Sequence, residues 1–341
     1  MTVKTNRTFQ FGSLIRSYAG LLAETLDAVD SNDYDFSSVG YFDGREPSSR
    51  KWLVSMYDWF TVCVAYWEKQ EIRCILSREG DVNLYGPGGV PDRTYRLPDA
   101  GVMREEAAGY GYVNRIRAIG QSLYVCGQSR QVYRFAPSAA HVLDGVWKDF
   151  AGPMRQAPIS EPPDDNGGEA FDRWLDENDA IDFMDIAGTS EDDIYAAGDE
   201  CWHYDGLRWE QLQLPTDECI NAIKAIDTDQ IVMVGHNGTV LMGNARQGFK
   251  ELSGIEDNQN FTGAEWFQGK LFLASNLGLY IYDPDTGKIE AYRTKLSPEL
   301  QDAHILEAKD GVLWSFGFKD LAYFDGKAWM RVDHPDNPPI R

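Results

Sequence analysis

Basic residues are scarce in this chain: 32 lysines and arginines stand against 54 aspartates and glutamates, a formal net charge of -22 at pH 7. A field of that sign repels phosphate backbones and anionic membrane surfaces and draws in basic partners, so neither nucleic acid nor membrane is an expected ligand. Long hydrophobic runs are missing as well. No stretch approaches the length that crosses a bilayer, and Arg16 and Glu24 interrupt residues 1–30, where a signal peptide needs an unbroken apolar centre. Cysteine is sparse: Cys63, Cys74, Cys126, Cys201 and Cys219 are an odd number without C-x-x-C spacing, most of them in apolar flanks, which reads as buried thiols in a reducing compartment. The expectation is a cytoplasmic protein, monomeric until it meets its partner.

Catalytic signatures are equally thin. His141, His203, His236, His304 and His334 show no metal-ligand spacing, and neither a G-x-S-x-G nucleophile elbow, a P-loop nor a dinucleotide fingerprint occurs. The glycine pairs in "GPGG" (86–89) and "DNGGE" (165–169) lack the strand-to-helix setting of a phosphate cradle. "DPDTG" (283–287) has the oxygen-rich look of a calcium loop, yet it stands where a hairpin turn is due and no bidentate glutamate follows at the right offset. No catalytic residue, metal or cofactor is expected.

Hydrophobic residues at 43% and aromatics at 13% supply a substantial core, and they are arranged in a repeat. An apolar strand ending in a small residue reads "IRCILS" (72–77), "SLYVCG" (122–127), "DIYAAG" (193–198), "QIVMVG" (230–235), "KLFLAS" (270–275) and "VLWSFG" (312–317). A further strand follows each in step: "VNLYGPG", "VYRFAP", "CWHYDG", "VLMGNA", "LYIYDPDTG" and "LAYFDG", most closing on glycine-bearing turns suited to tight hairpins. Next comes a strand that opens on a large apolar residue, such as Trp147, Trp209, Phe249, Ile289 or Trp329. Four short strands in a period of about 40–45 residues is the spacing of a propeller blade, an arrangement in which radial closure protects strand edges.

The fold class is therefore all-β, a single β-propeller domain over 1–341 with four-stranded antiparallel blades. Six blades are legible, at 57–99, 113–150, 181–216, 219–254, 260–296 and 302–335. Residues 1–56 are less regular. "VGYFDG" (39–44) and "KWLVS" (51–55) look like the last two strands of a seventh blade, whereas Leu14, Tyr18, Leu22 and Leu26 recur at helical spacing behind Ser13 as a cap, which predicts an N-terminal helix. Seven blades with that helical embellishment are preferred over six plus a helical cap.

"DDIYAAGDECWHYDGLRWEQL" and "GVLWSFGFKDLAYFDGKAWMRV" resemble the divergent bacterial propeller modules of the form D-[IV]-[WY]-A-x-G…Y-D-G…W, similar to sialidase-like and photosystem-assembly-factor propellers. The resemblance extends over residues 57–335. The Asp-box of sialidases and the Gly-His and Trp-Asp ends of WD40 units are lacking.

In such a fold the first strand of each blade lines the central channel, and the links between blades share one face with the turns between second and third strands. That face gathers acids. The insertion at 151–180 carries Glu161, Asp164, Asp165, Glu169, Asp172, Asp176, Glu177 and Asp179 against Arg155 and Arg173, and "GGEAFDRWLDEND" predicts a short helix with Phe171, Trp174 and Leu175 on one side. Asp199, Glu200, Asp217, Glu218, Glu256, Asp257, Glu299 and Asp302 fall on the same face. The candidate partner surface is Asp164, Asp165, Glu169, Phe171, Asp172, Trp174, Asp176, Glu177, Asp199, Glu200, Asp217, Glu218, Glu256, Asp257 and Phe318, with the aromatics as desolvated anchors. The channel strands place Arg117, Asp185, Lys224, Glu265 and Glu307 at similar depth, where ion pairs and waters filling a wide space are the favoured reading over a binding site.

The function expected is non-enzymatic binding of a basic protein. Strong acidity, a single domain and no catalytic motif are similar to bacterial immunity proteins, and that resemblance implies neutralisation of a cytosolic toxin. Two alternatives stand beside it: a propeller glycoside hydrolase or lyase using carboxylates such as Asp199 and Glu200, and a scaffold or sensor subunit of a larger assembly.

Overall fold

The structure, a computed structural model, describes residues 6–27, 36–48, 50–88, 91–138, 141–160, 162–163, 168–252 and 259–340, without the side chains of Asp176 and Glu177. Seven sheets of four antiparallel strands, each made from consecutive strands of the chain, stand in a ring. The blades span 7–57, 61–96, 113–149, 183–212, 220–251, 261–292 and 305–332, and are numbered 1 to 7 in that order. Their first strands, Arg7–Arg16, Thr61–Trp67, Val113–Ile119, Phe183–Ser190, Ile220–Asp227, Phe261–Phe267 and Ile305–Lys309, lie side by side around the axis, the last against the first.

Blade 1 corrects one expectation. Leu14, Tyr18, Leu22 and Leu26 do not lie on a helix: Arg7–Arg16 and Ala19–Leu26 are strands joined by a tight turn. The inner strands of a blade are covered by neighbouring blades on both faces, so Ala19–Leu26 is buried at six consecutive positions and shows no period of two. Leucines filling both faces happen to satisfy a helical spacing.

The core lies between blades, where side chains of adjacent sheets interdigitate. Trp67, Trp314, Tyr124, Tyr133 and Tyr195 are fully buried there. The outermost strands of six blades contribute a large apolar residue at or next to their start, Trp52, Trp147, Trp209, Phe249, Ile289 and Trp329. Trp209 of blade 4 packs against Phe150 and Tyr204, and its Nε1 donates to the Phe150 carbonyl at 2.9 Å, fastening blade 4 to blade 3. The "HNG" turn of blade 5 takes φ of 48° at Asn237 and 79° at Gly238, the doubly left-handed pattern that Asn-Gly serves. "DPDTG" closes a hairpin in which Asp283 pairs with Lys288.

The ring shuts without exchanging a strand between its ends. Trp314 Nε1 of blade 7 donates to the Ser17 carbonyl of blade 1 at 2.8 Å, and the Phe9 amide donates to the Phe318 carbonyl at 2.9 Å. Residues 333–340 then run across blade 1. His334 is buried between Phe9 and Trp52, while the Arg7 amide donates to Asn337 Oδ1 at 2.6 Å and the Arg7 side chain pairs with Asp336.

Candidate functional site

In six of the seven blades the first strand carries a bulge at one place. Pairing with the second strand skips one residue there: Gln10, Val62, Asn114, Met184, Asn221 and Thr262 in blades 1 to 6. Blade 7 has no bulge, and His304, just ahead of its first strand, takes the corresponding position. A bulge bends its strand and re-aims a side chain. Here all six extra residues, with His304, line one cavity of about 210 Å³ at the channel mouth on the link face.

Several of these residues also hold the ring together. Asn114 Nδ2 donates to the Phe183 carbonyl of the next blade and Asn221 Nδ2 to that of Phe261, both at 2.9 Å. The Thr262 hydroxyl donates to the His304 carbonyl at 2.9 Å.

Below the mouth the cross-strand register sets two further levels, and it separates the five charged residues expected at one depth. Arg117, Lys224, Glu265 and Glu307 pair with Tyr124, Val232, Phe272 and Trp314, equivalent positions of their second strands. Asp185 pairs with Ala197, two residues nearer the mouth, at the level of Arg115 opposite Cys126. Blades 3 and 4 carry the same bulge, at Asn114 and at Met184, so Asp185 is the counterpart of Arg115 and not of Arg117, a register that sequence alone does not reveal. Arg115, overlooked in the sequence because Arg117 fitted the repeat better, brings the cations to three against three carboxylates.

The lower level surrounds a cavity of about 230 Å³ lined by Arg117, Lys224, Glu265 and Glu307, with Arg115 reaching it from the level above. The channel acids of both levels act as staples between blades. Asp185 accepts the Ile223 amide at 3.0 Å, Glu265 accepts the Ala308 amide at 3.2 Å, and Glu307 accepts the Leu14 amide at 3.1 Å, in each case from the following blade. Arg117 grips Asp185 through two hydrogen bonds of 3.1 Å, and Lys224 meets Glu265 at 2.7 Å. Burial pulls the Asp185 pKa upward, but Arg117 and Arg115 hold it below the usual carboxylate range. Burial raises that of Glu307.

On the rim, the structure brings Asp199, Glu200, Asp217 and Glu218 together around a cavity of about 280 Å³, with no lysine or arginine among the described residues lining it. They differ in state. Glu200 is clamped by Arg130 through hydrogen bonds of 2.7 and 2.8 Å and receives Trp202 Nε1 at 2.8 Å. Burial would raise its pKa, but these partners keep it below its usual value, which suits a structural carboxylate better than a proton donor. Asp199 accepts the Asp182 amide at 2.9 Å, and Glu218 accepts Asn237 Nδ2 at 2.8 Å. Next to them, burial, opposed by a hydrogen bond from Gln128 and aided by Asp199, pushes the Asp182 pKa up to about 6.

The insertion between blades 3 and 4 carries the helix α1, Glu169–Glu177. Phe171 and Trp174 stack with ring centroids 5.6 Å apart, half-buried on one side of it, and Leu175 is exposed. Glu169 and Asp172 point to solvent. Trp174 Nε1 donates to Ser160 Oγ at 2.9 Å, and the Ser160 amide donates to Asn178 Oδ1 at 2.7 Å, so α1 is tied to the strap before it. The insertion returns to the body at Asp182, beside Asp199. Phe318 lies elsewhere, on blade 7, stacked over His304 at 4.7 Å above the channel mouth. Asp164, Asp165, Glu256 and Asp257 lie outside the described residues, as do the side chains of Asp176 and Glu177.

Ring closure, blade order and bulged channel strands together make the chain a seven-bladed β-propeller. No protein-family model matches it. It is similar to the Immune protein Tsi7 of Pseudomonas aeruginosa, 29% identical over 275 residues that cover 78% of this chain and 77% of that one. Among solved structures it resembles Saccharomyces cerevisiae Sqt1, with a TM-score of 0.60 at 9% identity over 96% of this chain and 85% of the other. It also resembles a catalytically inactive virginiamycin B lyase of Staphylococcus aureus, with a TM-score of 0.59 at 11% identity over 93% and 94%. Identities that low speak to the fold alone.

Proposed function

We propose that this chain is an immunity protein that works in the cytosol by binding and neutralising a basic protein toxin, without turning over a substrate. The observation that carries the reading is the similarity to an immune protein over more than three quarters of both chains. Two surface features support it. The stacked Phe171 and Trp174 offer an aromatic anchor held in place by Ser160, and the Asp199, Asp217 and Glu218 cavity begins where that insertion rejoins the body. Large aromatic anchors supply most of the energy of typical interfaces, while a field from a charge of -22 accelerates encounter with a cation-rich surface.

The test is co-purification of the chain from its native cells, followed by calorimetry with the captured protein and a co-expression survival assay. Phe171→Ala with Trp174→Ala is expected to weaken binding by at least about tenfold. Asp217→Lys with Glu218→Lys is expected to slow association and to flatten its dependence on salt. Unchanged affinity and full protection in the combined variant would remove this surface from the function.

A further inference from the structure

Arg115 is the one arginine or lysine among the described residues lining the channel mouth, and it is 9% exposed. Its nearest acid is already occupied. Asp185 Oδ1 accepts Arg117 Nε at 3.1 Å and the Ile186 amide at 2.9 Å, and Oδ2 accepts Arg117 Nη2 at 3.1 Å and the Ile223 amide at 3.0 Å. A carboxylate offers about four acceptor sites. Arg115 Nε therefore only approaches Oδ1, at 3.3 Å and without hydrogen-bond geometry, and no described acceptor is hydrogen-bonded to its guanidinium. Asp185 is shared by two arginines and accepts its side-chain hydrogen bonds from Arg117, so Arg115 is the loosely held cation of the pair, with Glu265 and Glu307 in the cavity below that it also borders.

The rest of the mouth does not neutralise it. The Phe11 ring lies 4.3 Å from Arg115 Cζ, a cation–π contact that attracts the charge but accepts no N–H in the plane of the fork. Gln10, Asn114, Asn221 and Thr262 are neutral, and no aspartate or glutamate is among the described lining residues. Burial, reinforced by the Arg115 charge, lowers the His304 pKa to about 4, so the imidazole is neutral too. A buried guanidinium with open donors is costly unless a ligand or water fills them. Its planar fork matches a carboxylate in two parallel hydrogen bonds.

We propose that the channel mouth is a carboxylate-binding site, with Arg115 as the bidentate anchor and the bulge residues Gln10, Asn114 and Asn221 as its polar wall. The volume of about 210 Å³ is ample for such a group, since cavities of ~150 Å³ admit a benzene ring. The carboxylate comes either from a free small acid or from an aspartate or glutamate side chain presented by a protein segment. The site stands whether or not the immunity reading holds.

The test is thermal denaturation and calorimetry of the full chain with sodium acetate, with an aspartyl tripeptide blocked at both ends, and with sodium chloride at matched ionic strength. The carboxylate probes are expected to raise Tm by on the order of 2 °C at saturation where chloride does not. Arg115→Leu is expected to fold and to lose the effect. Should that variant fail to fold, Gln10→Glu, which puts a competing carboxylate in the wall, is expected to abolish probe binding in a folded protein. A peptide binding at least tenfold more tightly than acetate assigns the site to a protein segment, and equal affinities assign it to a free acid. Chloride matching the probes, probe binding that survives Arg115→Leu or Gln10→Glu, or no shift with either carboxylate overturns the proposal.

Discussion

Gly127, Gly198 and Gly235 close the second strands of blades 3, 4 and 5, and the reason for the small residue there is steric. A Cβ on Gly198 would overlap the carbonyl oxygen of Asp182, one on Gly235 that of Cys219, and one on Gly127 that of Tyr112, each on the link entering the same blade. Gly198→Ala should cost about 1–3 kcal/mol in urea unfolding, the range for forced overpacking. An unchanged midpoint would show that the link yields freely. Asp302 is a different single-residue case. Burial, with Asp320 adding, raises its pKa from 3.8 to about 6. The folded state thus favours the protonated acid, and the stability this contributes is complete below the unfolded pKa and is lost as pH rises from about 4 through 6. Asp302→Asn mimics the protonated form. Its Tm should match the parent near pH 4, exceed it increasingly up to about pH 6, and keep a constant advantage above that. A Tm difference that does not vary with pH would contradict this.

Among the elements, the outer strands have the clearest mechanical role. Trp209 bridges blades 3 and 4 through Phe150 and Tyr204 while staying partly exposed, so Trp209→Ala is expected to cost about 2–4 kcal/mol by chemical denaturation. A loss below about 0.5 kcal/mol would mean the two blades hold without it. These strands were legible in the sequence because their aromatics, the small residue closing the second strand and the turn glycines recur in step. Blade 1 was half legible. Its last two strands keep the pattern, but the doubly buried Ala19–Leu26 has no alternation to read. The helix α1 was visible from the one-sided placement of Phe171, Trp174 and Leu175. The channel mouth was not visible, because a bulge is a feature of pairing rather than of composition. Gln, Val, Asn, Met, Asn and Thr share no chemistry that would mark their position.

For the molecule as a whole, the junction of blades 7 and 1 has no shared sheet, and the tail reinforces the hydrogen bonds that join the two blades directly. Removing residues 333–341 deletes His334, Asp336 and Asn337 and their hold on Phe9, Trp52 and Arg7. In hydrogen exchange the amides of Arg7–Arg16 should then lose protection well before those of Ile220–Asp227, where the intact chain protects both. Uniform loss across all blades would argue that the ring opens as one unit. Because every sheet is built from consecutive strands, the blades follow chain order around the ring and the Arg7 amide touches Asn337, the fold does not depend on which blade comes first in the chain. A circular permutant that joins the two ends by a short linker and is cut between blades 5 and 6 would keep all seven sheets whole, with the former ends covalently bridged.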